Sequence, residues 1–334
     1  MKFLRVLLFP FSVIYGGILA LRNLLYDKRF FSSKTYSFPV ICIGNLNLGG
    51  TGKSPMVEYL LEVLIKKYRV AVLSRGYKRK TKGFKLLSGS ETAAEVGDEP
   101  LQFKLKFPQA QVAVDENRQH GIQKLREQET PPEVILLDDA FQHRKVKAGL
   151  NILLTTFNAP FYKDLVLPSG NLREPKRGAK RADIIVVTKC PPDISIEERN
   201  QIRQGLKPES HQSVFFSSIS YAEEIRNKKK ATKISAIENF TLVTGIANPK
   251  PLVKHLKSKN LDFEHLACPD HHHFTASELE KIKNKTPVLT TEKDYMRLKD
   301  FLPEEQLFFL PIKTQFLPNA EAFENKVLDF IEKS

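Results

Sequence analysis

The feature that most restricts this chain is the run ICIGNLNLGGTGKSPMVEYLLEVL at positions 41–64. An apolar strand enters a glycine-rich loop, closes on Gly52-Lys53-Ser54 and opens an amphipathic helix. Glycines let backbone N–H groups turn onto phosphate oxygens, and a helix N-terminus adds partial positive charge. Lys53 is placed to reach the β- and γ-phosphates of a nucleotide, and Ser54 to ligate Mg²⁺. Asn47, Gly49, Gly50, Thr51 and Gly52 form the rest of the cradle. Pro55 falls in the first helical turn, where a missing N–H costs nothing. The first glycine of GxxxxGK[ST] would fall at Asn47, and Gly44, Gly49 and Gly50 supply the flexibility instead. The competing reading is a glycine turn that binds nothing; strand, loop, GKS and helix together argue against it.

The rest of the chain supports an α/β fold. Val/Ile/Leu-rich runs without polar alternation predict strands at 40–43, 69–74, 111–114, 134–138, 151–155 and 183–188, with helices at 53–66 and 116–127 between them. Such strands are buried on both faces, as in a parallel sheet covered by helices. A second series has strands near 214–218, 241–244, 263–267 and 288–291, and helices near 249–257, 276–283 and 321–333. At 334 residues the chain is long for one core, so two units are expected. The boundary is placed in the lysine-rich stretch 223–235, read as a solvated connection or an exposed hairpin. The expected organisation is an N-terminal helix at 1–30, a P-loop unit at 31–222 and a smaller α/β unit at 223–334, with a linker near 223–240.

Composition narrows the partners. There are 52 basic and 38 acidic residues, a net charge of +14. That excess points to a polyanion: nucleic acid, nucleotide phosphates or an anionic membrane surface. Cys42, Cys190 and Cys268 lie far apart, which excludes a disulfide scaffold and a cysteine-rich zinc site and suits a reducing compartment.

The first thirty residues are apolar and basic. Sixteen uncharged residues separate Arg5 from Arg22, fewer than the ~20 a bilayer span needs. At 100° per residue, Lys2, Arg5, Ser12, Gly16, Asn23 and Asp27 share one side, and Leu7, Phe11, Ile14, Ile18 and Leu25 lie largely on the other. This is the pattern of an interfacial anchor. A core helix and a secretory signal are the rival readings, and no convincing small-residue cleavage site supports the latter.

Other polar groups gather where a substrate would need them. VILLDDAFQH places Asp138 and Asp139 at the end of an apolar strand, where a carboxylate can hold Mg²⁺ beside a P-loop. Thr188-Lys189-Cys190-Pro191 lacks the aspartate of a guanine-reading motif, so ATP is favoured over GTP. SRGYKRK brings Arg75 and Tyr77 to the end of the second strand, the side on which open α/β sheets bind ligands. VGDEP carries Asp98 and Glu99, LREP carries Arg173 and Glu174, and CPDHHHF carries His271–His273. Adjacent histidines cannot easily share one ion, so an acid beside His271 suggests an oriented base rather than a zinc site. A charge run is most often just a solvated face, and that reading stands beside each of these.

Taken in order, GNLNLGGTGKSP, LSRGY, GDEP, DDAFQHR, LREP, GIANP, DHHHF and TEKD resemble the tetraacyldisaccharide 4′-kinase family across roughly residues 38–295. The family's loop carries Asn where Asn47 stands; Ala140 departs from it, where many members have glycine. The resemblance implies two α/β/α lobes joined by a short β linker, with the site in the cleft. It implies ATP and Mg²⁺, and an acylated glucosamine disaccharide 1-phosphate as acceptor at the cytoplasmic face of the inner membrane. Asp98 would be the catalytic carboxylate with His271 its partner, and Lys53 would act on the phosphates. Asp138, Asp139, Ser54 and Glu174 would serve the metal, and Tyr77 would lie near nucleotide or sugar. Arg75, Arg173 and His143 would face the substrate. No nucleic acid and no obligate protein partner are expected. The rival from another class is a P-loop NTPase that drives a partner protein. Such proteins often carry a lysine before the paired glycines; Leu48 stands there instead.

Overall fold

The computed structural model describes residues 5, 7–270, 272, 274–285 and 287–334. Helix α1 (Phe9–Asp27) precedes β1 (Val40–Asn45), α2 (Lys53–Leu64), β2 (Val70–Ser74), β3 (Lys85–Leu86), α3 (Ala93–Val96) and α4 (Asp98–Lys106). Then come β4 (Gln111–Val114), α5 (Arg118–Arg126), β5 (Val134–Asp138), β6 (Leu150–Thr156), β7 (Ile184–Thr188), α6 (Ile196–Leu206) and β8 (Ser213–Tyr221). The second series is β9 (Glu224–Arg226), β10 (Ala231–Lys233), β11 (Phe240–Thr244), α7 (Lys250–Ser258), β12 (Phe263–Ala267), α8 (Ala276–Lys283), β13 (Val288–Thr291), α9 (Glu292–Leu298) and β14 (Leu307–Leu310). The chain closes with β15 (Ile312–Phe316) and α10 (Ala320–Glu332).

The first nine-stranded sheet runs β15-β8-β7-β6-β1-β5-β2-β4-β3. Its strands from β4 across to β8 are parallel, and β3 and β15 are antiparallel edges. Every residue of β1, β2, β5 and β7 is buried, as their unbroken apolar runs require. Alternate residues feed two cores. Ile41, Ile43, Val72 and Leu136 pack with Leu60, Leu61 and Leu64 of α2. Cys42, Leu73, Ile135 and Leu137 pack with Ile122 and Leu125 of α5 on the opposite face. Pairing of Ile43 with Asp138 sets the end of β5 level with the start of the glycine loop.

The second sheet, β10-β9-β14-β13-β11-β12, has six strands. The stretch 223–235 is a hairpin, with Thr232 opposite Ile225. The linker expected near 223–240 falls on this hairpin, and the range expected for the second unit, 223–334, holds one strand that lies in the first sheet. β15 leaves the second sheet and pairs with β8 from Ile312↔Tyr221 to Phe316↔Ser217. The reason is apolar: Phe316 stacks on Phe323 of α10 at 4.3 Å, and Tyr59 of α2 lies 5.0 Å from Phe316. The two crossings between sheets are neighbours, joined by the Ala222 N–H donating to the Pro311 carbonyl (2.9 Å).

GDEP and TEKD are helix beginnings: Asp98 opens α4 and Glu292 opens α9. These helices pack on each other across the two units. Lys106 of α4 reaches Glu58 of α2 (2.7 Å) and Glu292 of α9 (2.8 Å), tying the P-loop helix to the second sheet. Burial, and then Glu292, push the Glu58 carboxyl up to about 7.

Helix α1 is inverted relative to an ordinary surface helix. Phe9, Phe11, Val13, Ile14, Ile18, Leu21 and Leu24 are exposed, and only 11% of its apolar window is buried. Its polar side meets the body: Ser12 Oγ accepts from the Ser169 N–H (2.8 Å), and Asn23 donates to Glu174 (2.9 Å). Arg22 donates to the Gln142 carbonyl (3.1 Å), and Asp27 pairs with Arg144 (2.6 Å).

Candidate active site

The cradle forms where β1 gives way to α2. Gly52 stands at the helix N-cap with φ +87°, a backbone region only glycine enters without strain, and no side chain caps the helix. The helix N–H groups therefore stay open to a ligand. Thr51 is fixed by Asn45 Nδ2 (2.8 Å) and by Thr188 Oγ1, which donates to the Thr51 carbonyl (2.7 Å). Lys189 at the end of β7 donates to the Gly50 carbonyl (2.6 Å). The Asn47 amide donates to Asp164 (3.2 Å) in the neighbouring loop, and its buried Oδ1 has no hydrogen-bond partner.

The acids converge beside Lys53. Its ammonium lies 3.7 Å from Asp139, a residue held at φ +47° and also bound by Arg173 (2.9 Å). Asp138 is buried and accepts from Ser74 Oγ (3.0 Å). Burial, then the carboxylates of Glu99 and Asp139, push Asp138 up to about 7. A divalent cation would relieve that crowding, so the donors fit Mg²⁺. Among the described residues no three of His, Cys, Asp and Glu form a cage by themselves. A Mg²⁺ that takes phosphate oxygens and keeps waters needs only one or two carboxylates. Ser54 Oγ donates to Glu99 (3.1 Å), which places Glu99, not assigned from sequence, at the cradle.

Two glycine turns bring SRGY and GDEP together. Gly76 has φ +70°, and a Cβ there would lie 2.8 Å from the Val96 carbonyl; Gly97 packs directly on Gly76. Asp98 then opens α4 and accepts from Arg297 of α9, through Nε (2.9 Å) and Nη2. Its expected partner His271 lies outside the described residues. Tyr77 and Arg75 are exposed at the same edge.

Glu174, expected to serve the metal, has three donors of its own. It is buried, and its oxygens accept from Asn23, Gln142 (2.9 Å) and Arg181 (2.8 Å). That carboxylate ties α1 to the site. His143 sits in a basic flank. Burial, then Arg118, Lys145, Arg22 and Arg75, hold its imidazole down at about 4. Its Nε2 and the Nε of buried Arg118 have no hydrogen-bond partner. Sequence reading passed over Arg118; the only signal was its place in DENR just beyond β4.

An open helix N-terminus, acids on the adjacent strand and a basic flank with unfilled donors define a P-loop phosphotransferase. The tetraacyldisaccharide-1-P 4′-kinase family model matches residues 4–332, and the chain belongs to that family. It is 50% identical to the tetraacyldisaccharide 4′-kinase of Flavobacterium johnsoniae, over 100% of this chain and 99% of that one. It is 42% identical to that of Bacteroides thetaiotaomicron, over 98% and 93%. Among solved structures it is similar to LpxK from Aquifex aeolicus in complex with ATP: TM-score 0.79, 32% identity, 98% and 99% coverage. Its activity is that of an ATP-dependent kinase of lipid A biosynthesis.

Proposed function

We propose that the chain moves the γ-phosphoryl group of ATP to the 4′-hydroxyl of an acylated glucosamine disaccharide 1-phosphate, while lying on the cytoplasmic face of the inner membrane. The observation that carries this reading is the junction of anchor and site. The polar side of α1 is bonded to Glu174 and Gln142 beside the cradle, and its apolar side is bare. Those bonds suit a helix lying along a surface; a spanning helix could not keep them. An acyl-chain substrate could then enter sideways from the lipid.

Lys53 and the open N–H groups of α2 hold the triphosphate. Ser54, Asp138 and Asp139 would hold Mg²⁺, which when bound neutralises charge between the phosphates. Arg173 orients Asp139. The unfilled nitrogens of Arg118 and His143, with Arg22 and Arg75 nearby, make a seat for the lipid's 1-phosphate. Asp98 stands at the start of α4 as the group that takes the hydroxyl proton, with His271 as its proposed partner. An anionic membrane suits the net charge of +14, each near-surface cation contributing ~1 kcal/mol.

The test is incubation with γ-labelled ATP and the disaccharide 1-phosphate in mixed micelles, followed by chromatography. Label in the lipid, equal to ATP consumed, supports the kinase. ATP consumption without labelled lipid would favour the partner-driving NTPase.

A further inference from the structure

The described cations around the cradle mostly come from the first sheet, but one arrives from the second. Lys293 Nζ lies 3.3 Å from Glu99 Oε1, the same oxygen that accepts from Ser54 Oγ at 3.1 Å. One carboxylate oxygen therefore separates a lysine of α9 from the hydroxyl that follows Lys53 in the cradle. We propose that Lys293 is a catalytic residue: the cation that the second unit supplies to the phosphoryl group in transfer. This rests on the kinase reading above.

Three features support it. The position is built, not incidental. Glu292, one residue before, is buried and pinned to Lys106 (2.8 Å), and Arg297, one turn on, is bound to Asp98 and to Asp294 (2.9 Å). These pins fix the first turn of α9 on both sides of Lys293. Secondly, Thr291 caps α9 by accepting from the Asp294 N–H (3.1 Å), which takes up one of the backbone donors of this helix end and leaves the Lys293 side chain to reach Glu99. Thirdly, Glu99 is shared. Were the Ser54 hydroxyl taken by a nucleotide's metal, Glu99 would lose one donor and would still hold Lys293 at the edge of the cradle.

The chemistry asks for such a charge. In transfer, the bond from the γ-phosphorus to the incoming 4′-oxygen forms as the bond to the β-phosphate oxygen breaks. The electron pair of that bond leaves with ADP, and the hydroxyl proton goes to the base. Negative charge spreads over the γ-oxygens and the bridging oxygen. Lys293 moves no proton; it offers charge where charge develops, as cations supplied by a neighbouring element do in other phosphoryl transfers.

The test uses the full chain and two variants, Lys293→Met, which keeps the apolar stem, and Lys293→Arg, which keeps the charge. Melting curves first establish that each is folded; if Lys293→Met is not, Lys293→Gln replaces it. Turnover on the disaccharide lipid, and affinities for Mg·ADP and for Mg·ADP with aluminium fluoride, are then measured. Loss of the charge should lower kcat about 10²- to 10³-fold. It should weaken the aluminium fluoride complex by a comparable factor and Mg·ADP less than about threefold. Lys293→Arg should recover at least a tenth of wild-type kcat. A kcat within about threefold of wild type in Lys293→Met would overturn the proposal. So would equal loss of Mg·ADP and aluminium fluoride affinity, which would make the lysine a holder of the site only. If wild-type protein transfers nothing to the lipid, the kinase reading falls, and the ratio of the two affinities still decides Lys293.

Discussion

Two strand-to-helix junctions face each other across this molecule, and they are finished in opposite ways. Where β1 enters α2, Gly52 holds the N-cap and no side chain bonds the free N–H groups. Where β13 enters α9, Thr291 holds the N-cap and its hydroxyl takes up the Asp294 N–H. The first junction keeps its backbone donors for a ligand. The second has one of its donors already taken, and its contacts are made by the side chains of Glu292, Lys293 and Arg297. A helix end can bind phosphate or be capped, and here the division of labour between the two sheets follows from that choice.

The largest expected effect tests the open junction. Lys53→Ala should lower transfer about 10³- to 10⁵-fold while the melting temperature stays within a few degrees, because its side chain acts on phosphate and fills no core. Near wild-type turnover in the purified variant would remove the first half of the comparison. The next tests whether chemistry is shared between the sheets. Asp98→Ala and His271→Ala should each cost about 10²- to 10⁴-fold, and the double variant should cost little more than the worse single one. Losses that multiply would mean that the two residues act separately.

The anchor comes next. Removing residues 1–27 should cut vesicle flotation about 10²-fold, since burial of the exposed apolar side chains contributes ~25 cal/mol per Å². Unchanged flotation would move the membrane contact elsewhere. Smaller still is a pH effect in the basic flank. His143 is held at about 4, below the ordinary 6.5, so the folded state binds fewer protons between those values. Stability should therefore be full above pH 6.5 and fall as pH drops toward 4. In His143→Asn that part of the acid limb should vanish, by about 1–2 kcal/mol after allowance for partial exposure. Denaturant midpoints at pH 4.5 and 7.5 read it directly. Least of all, Thr291→Ala should cost about 1 kcal/mol of stability. A loss of zero would mean that the second junction is not held by its cap.

Much of this was legible in the residues. β4, β5 and β13 begin and end where their largely apolar runs do, because a parallel strand buried on both faces leaves little room for polar residues. Lys53, Ser54, Asp138 and Asp139 come together because one strand order carries them all. What escaped reading was decided by distant partners. α4 and α9 are short and heavily charged, with no apolar period long enough to declare a helix; their charges find one another across the gap between residues 98 and 297. Glu174 belongs to the motif that suggested a metal role, but three donors from separate segments claim its oxygens. β15 did leave a trace in sequence: Ile312, Thr314 and Phe316 alternate with Lys313 and Gln315, as an edge strand should.

That last strand has a bearing on how the protein is made. The sheet that holds the cradle is begun near residue 40 and completed only by residues 312–332, after the whole of the second sheet has been synthesised. Until then β8 presents an open edge, and Phe215 and Tyr59 lack the aromatic rings of Phe316 and Phe323. A ribosome therefore releases the second unit as a closed insert within an unfinished first one. A chain lacking residues 312–332 would strand the larger core, with its β8 edge free to pair with another chain.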